Sequence, residues 1–295
     1  MLITGGRGRL SRLLAVALAQ RGHHVVVSSR VADTRFIDCR EAASAACLAS
    51  FDAVLHLAWS TVPALAERSP GSEWQTDLPW LAGMLRTLAG LPQEGRPQLV
   101  FFSSGGTVYG EAPAGRGSRE DDPCRPIGWY GRAKLAAERL IDDFTLACGL
   151  DSTVLRVSNP YGYLLDPDKP QGLIAHLLHS AQTGRPAVVW GDGSARKDYL
   201  AAGDLSEAVG RVIELRATGL YNLGSGESHT VDEVIALVRA VTGRAFAVEY
   251  REGFAWDVHC SRLDVRRIEQ RLAWCPRIAP REGIERLWGA QVTVS

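Results

Sequence analysis

The chain has 295 residues, enough for one large domain or two small ones around a substantial core. Its 46% hydrophobic content excludes wholesale disorder. The 33 basic residues balance the 33 acidic ones, which argues against a protein that coats nucleic acid or another polyanion.

The six cysteines are scattered without a CxxC pair. That pattern fits neither a zinc site nor a disulfide framework, so a reducing cytoplasm is expected, with no metal. No apolar stretch approaches the ~20 residues that span a bilayer, so no membrane partner is expected. Arg7, Arg9 and Arg12 ahead of the apolar run 13–19 mimic a secretory leader. A glycine-rich loop accounts for the same residues better.

In chain order, residues 1–4 read as a short strand and 10–21 as a helix with Leu13, Leu14, Ala17 and Leu18 on one face. Gly22 closes that helix. Strands follow at 24–28, 53–58 and 98–103, with helices at 74–89 and 128–148 between or after them. Near-continuous apolar strands alternating with amphipathic helices imply a parallel sheet covered on both faces. A strand at 153–157 leads into a looser Pro-, Gly- and Asp-rich region, 159–170. Helices are expected at 172–183, 201–216 and 231–242, and strands at 219–223 and 246–251. The tail 264–288 reads as helical in two pieces split around Pro276 and Pro280.

Gly5-Gly6-Arg7-Gly8-Arg9-Leu10-Ser11 follows a strand and opens a helix. Glycine is needed where backbone turns tightly against a pyrophosphate, and the helix N-terminus offers that anion free N–H groups. Ser11 is small enough for close packing of helix on sheet. At the end of the second strand Ser28-Ser29-Arg30 carries no acid. An acid there would hold the ribose 2′-hydroxyl of NAD, whereas an arginine suits the 2′-phosphate of NADP, so these residues lean towards NADP.

Tyr130 and Lys134 are four residues apart on one helix and share a face. A nearby ammonium favours the phenolate, giving a group able to move a proton while a hydride moves to or from a nicotinamide.

With these pieces in place the chain resembles the extended short-chain dehydrogenase/reductases, in the UDP-glucose 4-epimerase-like group of nucleotide-sugar enzymes. The matching segments are Thr4-Gly5-Gly6-Arg7-Gly8, residues 52–58 (DAVLHLA), residues 103–110 (SSGGTVYG), Tyr130 with Lys134, residues 156–162 (RVSNPYG), Gly191-Asp192-Gly193 with Lys197-Asp198-Tyr199, and residues 221–226 (YNLGSG). The resemblance implies an α/β architecture: a Rossmann doubly wound parallel sheet (1–157 plus about 196–223) and a smaller C-terminal α/β substrate lobe (158–195 plus 224–295).

It also implies site residues. Gly5, Gly8, Arg9, Leu10, Ser29, Arg30, Asp38, Cys39, Leu57, Ala58, Ser103 and Pro160 would border NAD or NADP, with Asp38 on the adenine amino group. Tyr130 would be the acid/base, and Lys134 would orient it and hold the nicotinamide ribose. Asn159, Lys197 and Arg251 would hold the substrate diphosphate. Asp77 stands where an Asn is usual.

Three features depart from the family. The position of its catalytic Ser or Thr is Gly105, so Ser104 or Thr107 has to supply that hydroxyl at the sugar oxygen. Ser29 replaces the NAD-holding acid. Almost nothing precedes Thr4, so either the first strand is a stub or the natural start lies upstream. The leading expectation is an NAD(P)-dependent 4-epimerase of a UDP- or other nucleotide sugar, working as a homodimer through helices 74–89 and 128–148. An NADPH-dependent ketoreductase of a 4-keto-deoxysugar nucleotide is the alternative, and a non-catalytic NAD(P)-binding regulator is a third reading.

Overall fold

The computed structural model describes residues 1–30, 35–162 and 172–292. The chain starts with β1 (Leu2–Thr4), α1 (Arg9–Gln20), β2 (Val26–Ser29) and β3 (Ile37–Asp38). The short helices α2 (Cys39–Ala42) and α3 (Ala45–Leu48) lead to β4 (Ala53–His56). Then come α4 (Pro63–Arg68), α5 (Ser72–Gln75), α6 (Asp77–Gly90), β5 (Gln98–Ser104), α7 (Trp129–Cys148) and β6 (Ser152–Val157).

The second part holds β7 (Asn159–Tyr161), α8 (Leu173–Thr183), β8 (Ala187–Trp190), β9 (Arg196–Lys197), β10 (Tyr199–Ala201) and α9 (Ala202–Glu214). It continues with β11 (Gly219–Leu223), β12 (His229–Thr230), α10 (Val231–Thr242), β13 (Val248–Arg251), α11 (Arg266–Leu272) and α12 (Pro280–Val292).

Seven strands form one sheet in the order β11-β6-β5-β4-β1-β2-β3, and every pairing in it is parallel. This is the doubly wound Rossmann sheet expected from the sequence. Its faces are covered by different helices. Leu14 and Leu18 of α1, Leu205 and Val209 of α9 and Ile268 of α11 pack on one side. Leu81, Leu85 and Leu88 of α6, Ile141 of α7 and Leu48 of α3 pack on the other. Chain order reverses at β1, which pairs with β2 on one side and β4 on the other, so the crevice of such sheets opens beyond the ends of β1 and β4.

A separate core joins Ile174, Leu177 and Leu178 of α8 to Val189, Val234, Ile235, Val238 and Ile284. It carries three two-stranded sheets: β10 with β7, β12 with β9, and β13 with β8.

Two segments bear on the expected division of the chain. Residues of α11 and Trp274 pack into the core of the large sheet, not into the smaller lobe. Strands β9 and β10, expected with the Rossmann part, pair with β12 and β7, while Leu200 of β10 packs into the core of the large sheet. The expected helix 74–89 is two helices, because Thr76 adopts φ −120°, ψ −63° between α5 and α6. Of the loose region 159–170, residues 159–161 form β7, and residues 163–170 lie outside those described.

Candidate active site

Two cavities open at the crevice. The first, of about 900 Å³, is lined by Gly5, Gly8, Ser29, Arg30, Asp38, Cys39, Leu57 and Ala58, with Trp59, Ser60 and Asp77. The second, of about 660 Å³, is lined by Gly106, Thr107, Tyr130, Asn159, Pro160, Lys197 and Arg251, with Arg9, Glu67 and Trp256.

The glycine loop has a steric basis. Gly5 has φ +79°, and a Cβ there would lie 2.9 Å from both the N and Cα of Ala58. Loop and β4 end are also stitched together. The Thr4 hydroxyl accepts the Leu57 and Ala58 N–H groups at 3.2 and 3.1 Å and lies 3.0 Å from His56 Nδ1. An oxygen that accepts two N–H groups donates its own proton, so Nδ1 is the acceptor. Burial, followed by the charge of Lys134, lowers the His56 pKa to about 3 and keeps the ring neutral. Gly8 caps α1 with extended backbone, and Ser11 is buried beneath it. This cradle, which a side chain would fill, and the helix start aimed across it fit a dinucleotide pyrophosphate. The Trp59 indole Nε1 is buried without a partner among the described residues, a donor available to such a ligand.

Asp38 stands in register with Ser29 across β2 and β3. Its Oδ1 accepts from Arg40 N at 2.7 Å, capping α2. The second strand lacks an acid, but the neighbouring strand brings one alongside.

Helix α7 begins in the wall of the second cavity and packs behind Trp59 of the first. Tyr130 lies in the wall of the second cavity, half-buried. One turn on, Lys134 is buried, and its ammonium lies 3.8 Å from the Trp59 ring centroid, 4.8 Å from that of Phe101 and 5.7 Å from that of Tyr130. It donates to the Phe102 carbonyl at 2.9 Å. Burial lowers its pKa to about 7, against the raising influence of Asp77, Glu138 and Glu73. Burial likewise raises the Tyr130 pKa, and Glu73 and Asp77 raise it further. The sequence suggested a phenol acidified by the lysine. In this protein burial and two carboxylates dominate instead, so a lowered phenol pKa needs additional positive charge.

Gly131 lets α7 approach closely: a Cβ there would lie 2.8 Å from the Thr107 carbonyl. Thr107 Oγ1 is buried without a partner among the described residues, in the wall shared with Tyr130. Ser104 does not line that cavity. Gly105 has no room for a hydroxyl: its Cβ would sit 2.6 Å from Leu263 Cδ1 and 2.8 Å from the Arg156 carbonyl.

Four expected cofactor residues are placed otherwise. The Ser103 hydroxyl donates to Glu138, which also holds Arg156 at 2.7 Å in a buried pair. Leu10 packs against the core, and Arg9 and Pro160 line the second cavity rather than the first. Among the diphosphate candidates, Lys197 pairs with Asp257 at 2.8 Å, and Asn159 Nδ2 donates to the Asp198 carbonyl at 3.0 Å. Arg251 lies 5.7 Å from the Trp190 ring centroid and 3.4 Å from Glu249.

Sequence reasoning missed Glu67, which has no motif around it, and Trp256, which stacks on Phe254 while Phe254 packs on Trp190 from another segment. Trp129, next to Tyr130, turns to Trp74 in an edge contact at 5.9 Å.

Comparison with known proteins agrees with this geometry. Residues 1–224 match the model of the NAD dependent epimerase/dehydratase family. The chain belongs to that family.

A putative UDP-glucose 4-epimerase of Methanocaldococcus jannaschii is 30% identical over 64% of this chain and 61% of its own length. A UDP-glucose 4-epimerase of Mycolicibacterium smegmatis is 30% identical over 69% of this chain. The match spans 65% of that relative, so in both cases it covers less than two thirds of the relative's length. The structure of Thermus thermophilus UDP-glucose 4-epimerase in complex with NAD superposes with a TM-score of 0.85 at 27% identity, covering 96% of each chain. No helix among the described residues is long and apolar enough to cross a membrane.

Proposed function

We propose that the protein is a 4-epimerase of a nucleotide sugar that keeps NAD bound through the turnover. One observation carries the reading. Tyr130 stands in the wall of the second cavity, while Lys134, one turn along α7, lies against Trp59 in the wall of the first. A single helix therefore places a proton-transfer group in the wall of the second cavity and a buried cation behind the Trp59 wall of the first. The similarity to UDP-glucose 4-epimerases supports this choice of chemistry.

NAD, when bound, supplies a hydride acceptor and a positive charge. Gly5, Gly8, Leu57 and Ala58 would hold it, with Asp38 and Cys39 at its adenosine end. Tyr130 takes the proton of the sugar 4-hydroxyl, and the Lys134 ammonium favours the phenolate. The Thr107 hydroxyl donates to the same sugar oxygen. The resulting 4-keto sugar presents its other face, and Tyr130 returns the proton. Lys197, Arg251 and Asn159 anchor the diphosphate while the sugar turns.

Two further parts of the reading are the nicotinamide type and the assembly. The register of Asp38 with Ser29 favours NAD. Arg7, Arg30 and Arg40, which line the same cavity, favour a 2′-phosphate and the alternative of an NADPH-dependent 4-ketoreductase. We place the protein in a reducing cytoplasm, since its six cysteines are free thiols, and as a homodimer through α6 and α7.

The test is to denature the purified protein and identify the nucleotide released, then to incubate native protein with UDP-glucose. Stoichiometric NAD and formation of the 4-epimer are expected. Empty protein that takes up NADPH and reduces a 4-keto sugar nucleotide supports the ketoreductase.

A further inference from the structure

The reacting end of the substrate cavity carries a fixed carboxylate. Glu67, on α4, lines the cavity beside Pro63, Gly128 and Tyr130. Its Oε1 accepts the Trp129 N–H at 2.6 Å, which pins the carboxylate at the start of α7, one residue from Tyr130. A Cβ on Gly128 would lie 2.7 Å from that same oxygen, so the glycine lets the carboxylate approach this closely. The other carboxylate oxygen accepts no hydrogen bond among the described residues and is available to a ligand.

The surrounding charge has the same sign. Glu73 is fully buried, and its charge and that of Asp77 both reach Tyr130. Lys134 is the cation facing them, and it is directed to Phe102 and Trp59. Among the described residues, the arginines and lysines that line the cavity are Arg9 on α1, Lys197 on β9 and Arg251 on β13. Lys197 and Arg251 sit on strands of the smaller lobe, and Lys197 is paired with Asp257, which lines the same cavity.

We propose that Glu67 is a specificity-determining residue that selects an uncharged hexose over the matching hexuronate. The inference rests on the nucleotide-sugar reading above. With the 4-hydroxyl at Tyr130, carbon 6 is two bonds from the reacting carbon and shares this end of the cavity. A 6-hydroxymethyl group donates a hydrogen bond to the Glu67 carboxylate. A 6-carboxylate has no proton to donate and meets a like charge that the Trp129 N–H holds in place.

The experiment uses the full chain with UDP-glucose and UDP-glucuronate as probes. Dissociation constants and kcat/KM are measured for wild type, Glu67→Gln and Glu67→Lys, with melting curves to verify folding. Gln retains an oxygen for the Trp129 N–H. Wild type is expected to prefer UDP-glucose by a factor of about ten or more, the size of one lost charge-assisted contact. The preference should shrink about tenfold in Glu67→Gln and reverse in Glu67→Lys, chiefly through tighter UDP-glucuronate binding. An unchanged preference in both folded variants overturns the proposal and leaves the epimerase reading standing. Wild type that binds neither sugar nucleotide overturns both.

Discussion

The Lys134 ammonium rests 3.8 Å from the Trp59 ring centroid while donating to the Phe102 carbonyl at 2.9 Å. A buried cation is stable only when polar or π partners replace its water. The indole face and one carbonyl do so here, incompletely, since burial still brings the Lys134 pKa down to about 7. Trp59→Leu removes the π face and should lower that pKa further. At pH 7 fewer molecules then carry the ammonium, and NAD binding should weaken about tenfold or less, as a desolvated cation–π contact is worth about 1–2 kcal/mol. Trp59→Phe should restore most of the affinity. Calorimetric titration with NAD across the neutral range checks both, and equal losses in the two variants would show that only packing was lost.

The orphaned Thr107 Oγ1 lies in the substrate-cavity wall, and the proposed function has it replace the hydroxyl missing at Gly105. Thr107→Val should lower kcat by a factor of about 10² to 10³, as expected for one donor to a developing oxyanion, with Thr107→Ser close to wild type. Ser104→Ala should stay within about threefold of wild type, because Ser104 does not line the substrate cavity. Steady-state kinetics on the three variants decides between the two residues.

Gly105→Ser, which restores the family's residue, should do harm. Its Cβ would press on Leu263 Cδ1 and on the Arg156 carbonyl, and the second contact is with backbone that cannot rotate away. Overpacking of this kind costs about 1–3 kcal/mol, read as a lower urea midpoint, with no gain in turnover. A variant as stable as wild type would mean that β6 and the Leu263 segment yield.

His56 links stability to pH. Its folded pKa of about 3 lies below the ordinary value of 6.5, so between these values the unfolded chain binds more protons. Stability should therefore fall as pH drops from 6.5 towards 3, by up to roughly 1.4 kcal/mol per unit from this group. His56→Gln, which retains an acceptor for the Thr4 hydroxyl, should show a flatter profile. Urea unfolding at a series of pH values measures the slope.

Much of this site was legible because its chemistry is local. The glycine loop, Tyr130 and Lys134 each sit on one strand–helix boundary or one helix, where spacing alone fixes the face. The helix Val231–Thr242 coincides with its expected span because Thr230 and Glu233 form a reciprocal cap. What failed was non-local. The strands β8 and β10 are short and exist through pairing with β13 and β7, so no period in their own residues announces them. Ser103 was assigned to the cofactor from its motif, yet its direction depends on Glu138, 35 residues on. The split at Thr76 reflects Asp77 and Thr76 reaching back to Ser60, a contact across 16 and 17 residues. The phenol's environment was misjudged because Glu73 and Asp77 lie on helices that the sequence read as one.

The central claim, that one α7 helix serves internal hydride return, is tested most directly with UDP-glucose deuterated at sugar carbon 4. The protein is incubated with it in the presence of excess unlabelled NADH, and the product is analysed by mass spectrometry and NMR. The account predicts a 4-epimer that retains the deuterium at carbon 4, with no label in the free nicotinamide pool. Deuterium lost from the sugar to that pool, or a labelled substrate recovered unchanged, would contradict it.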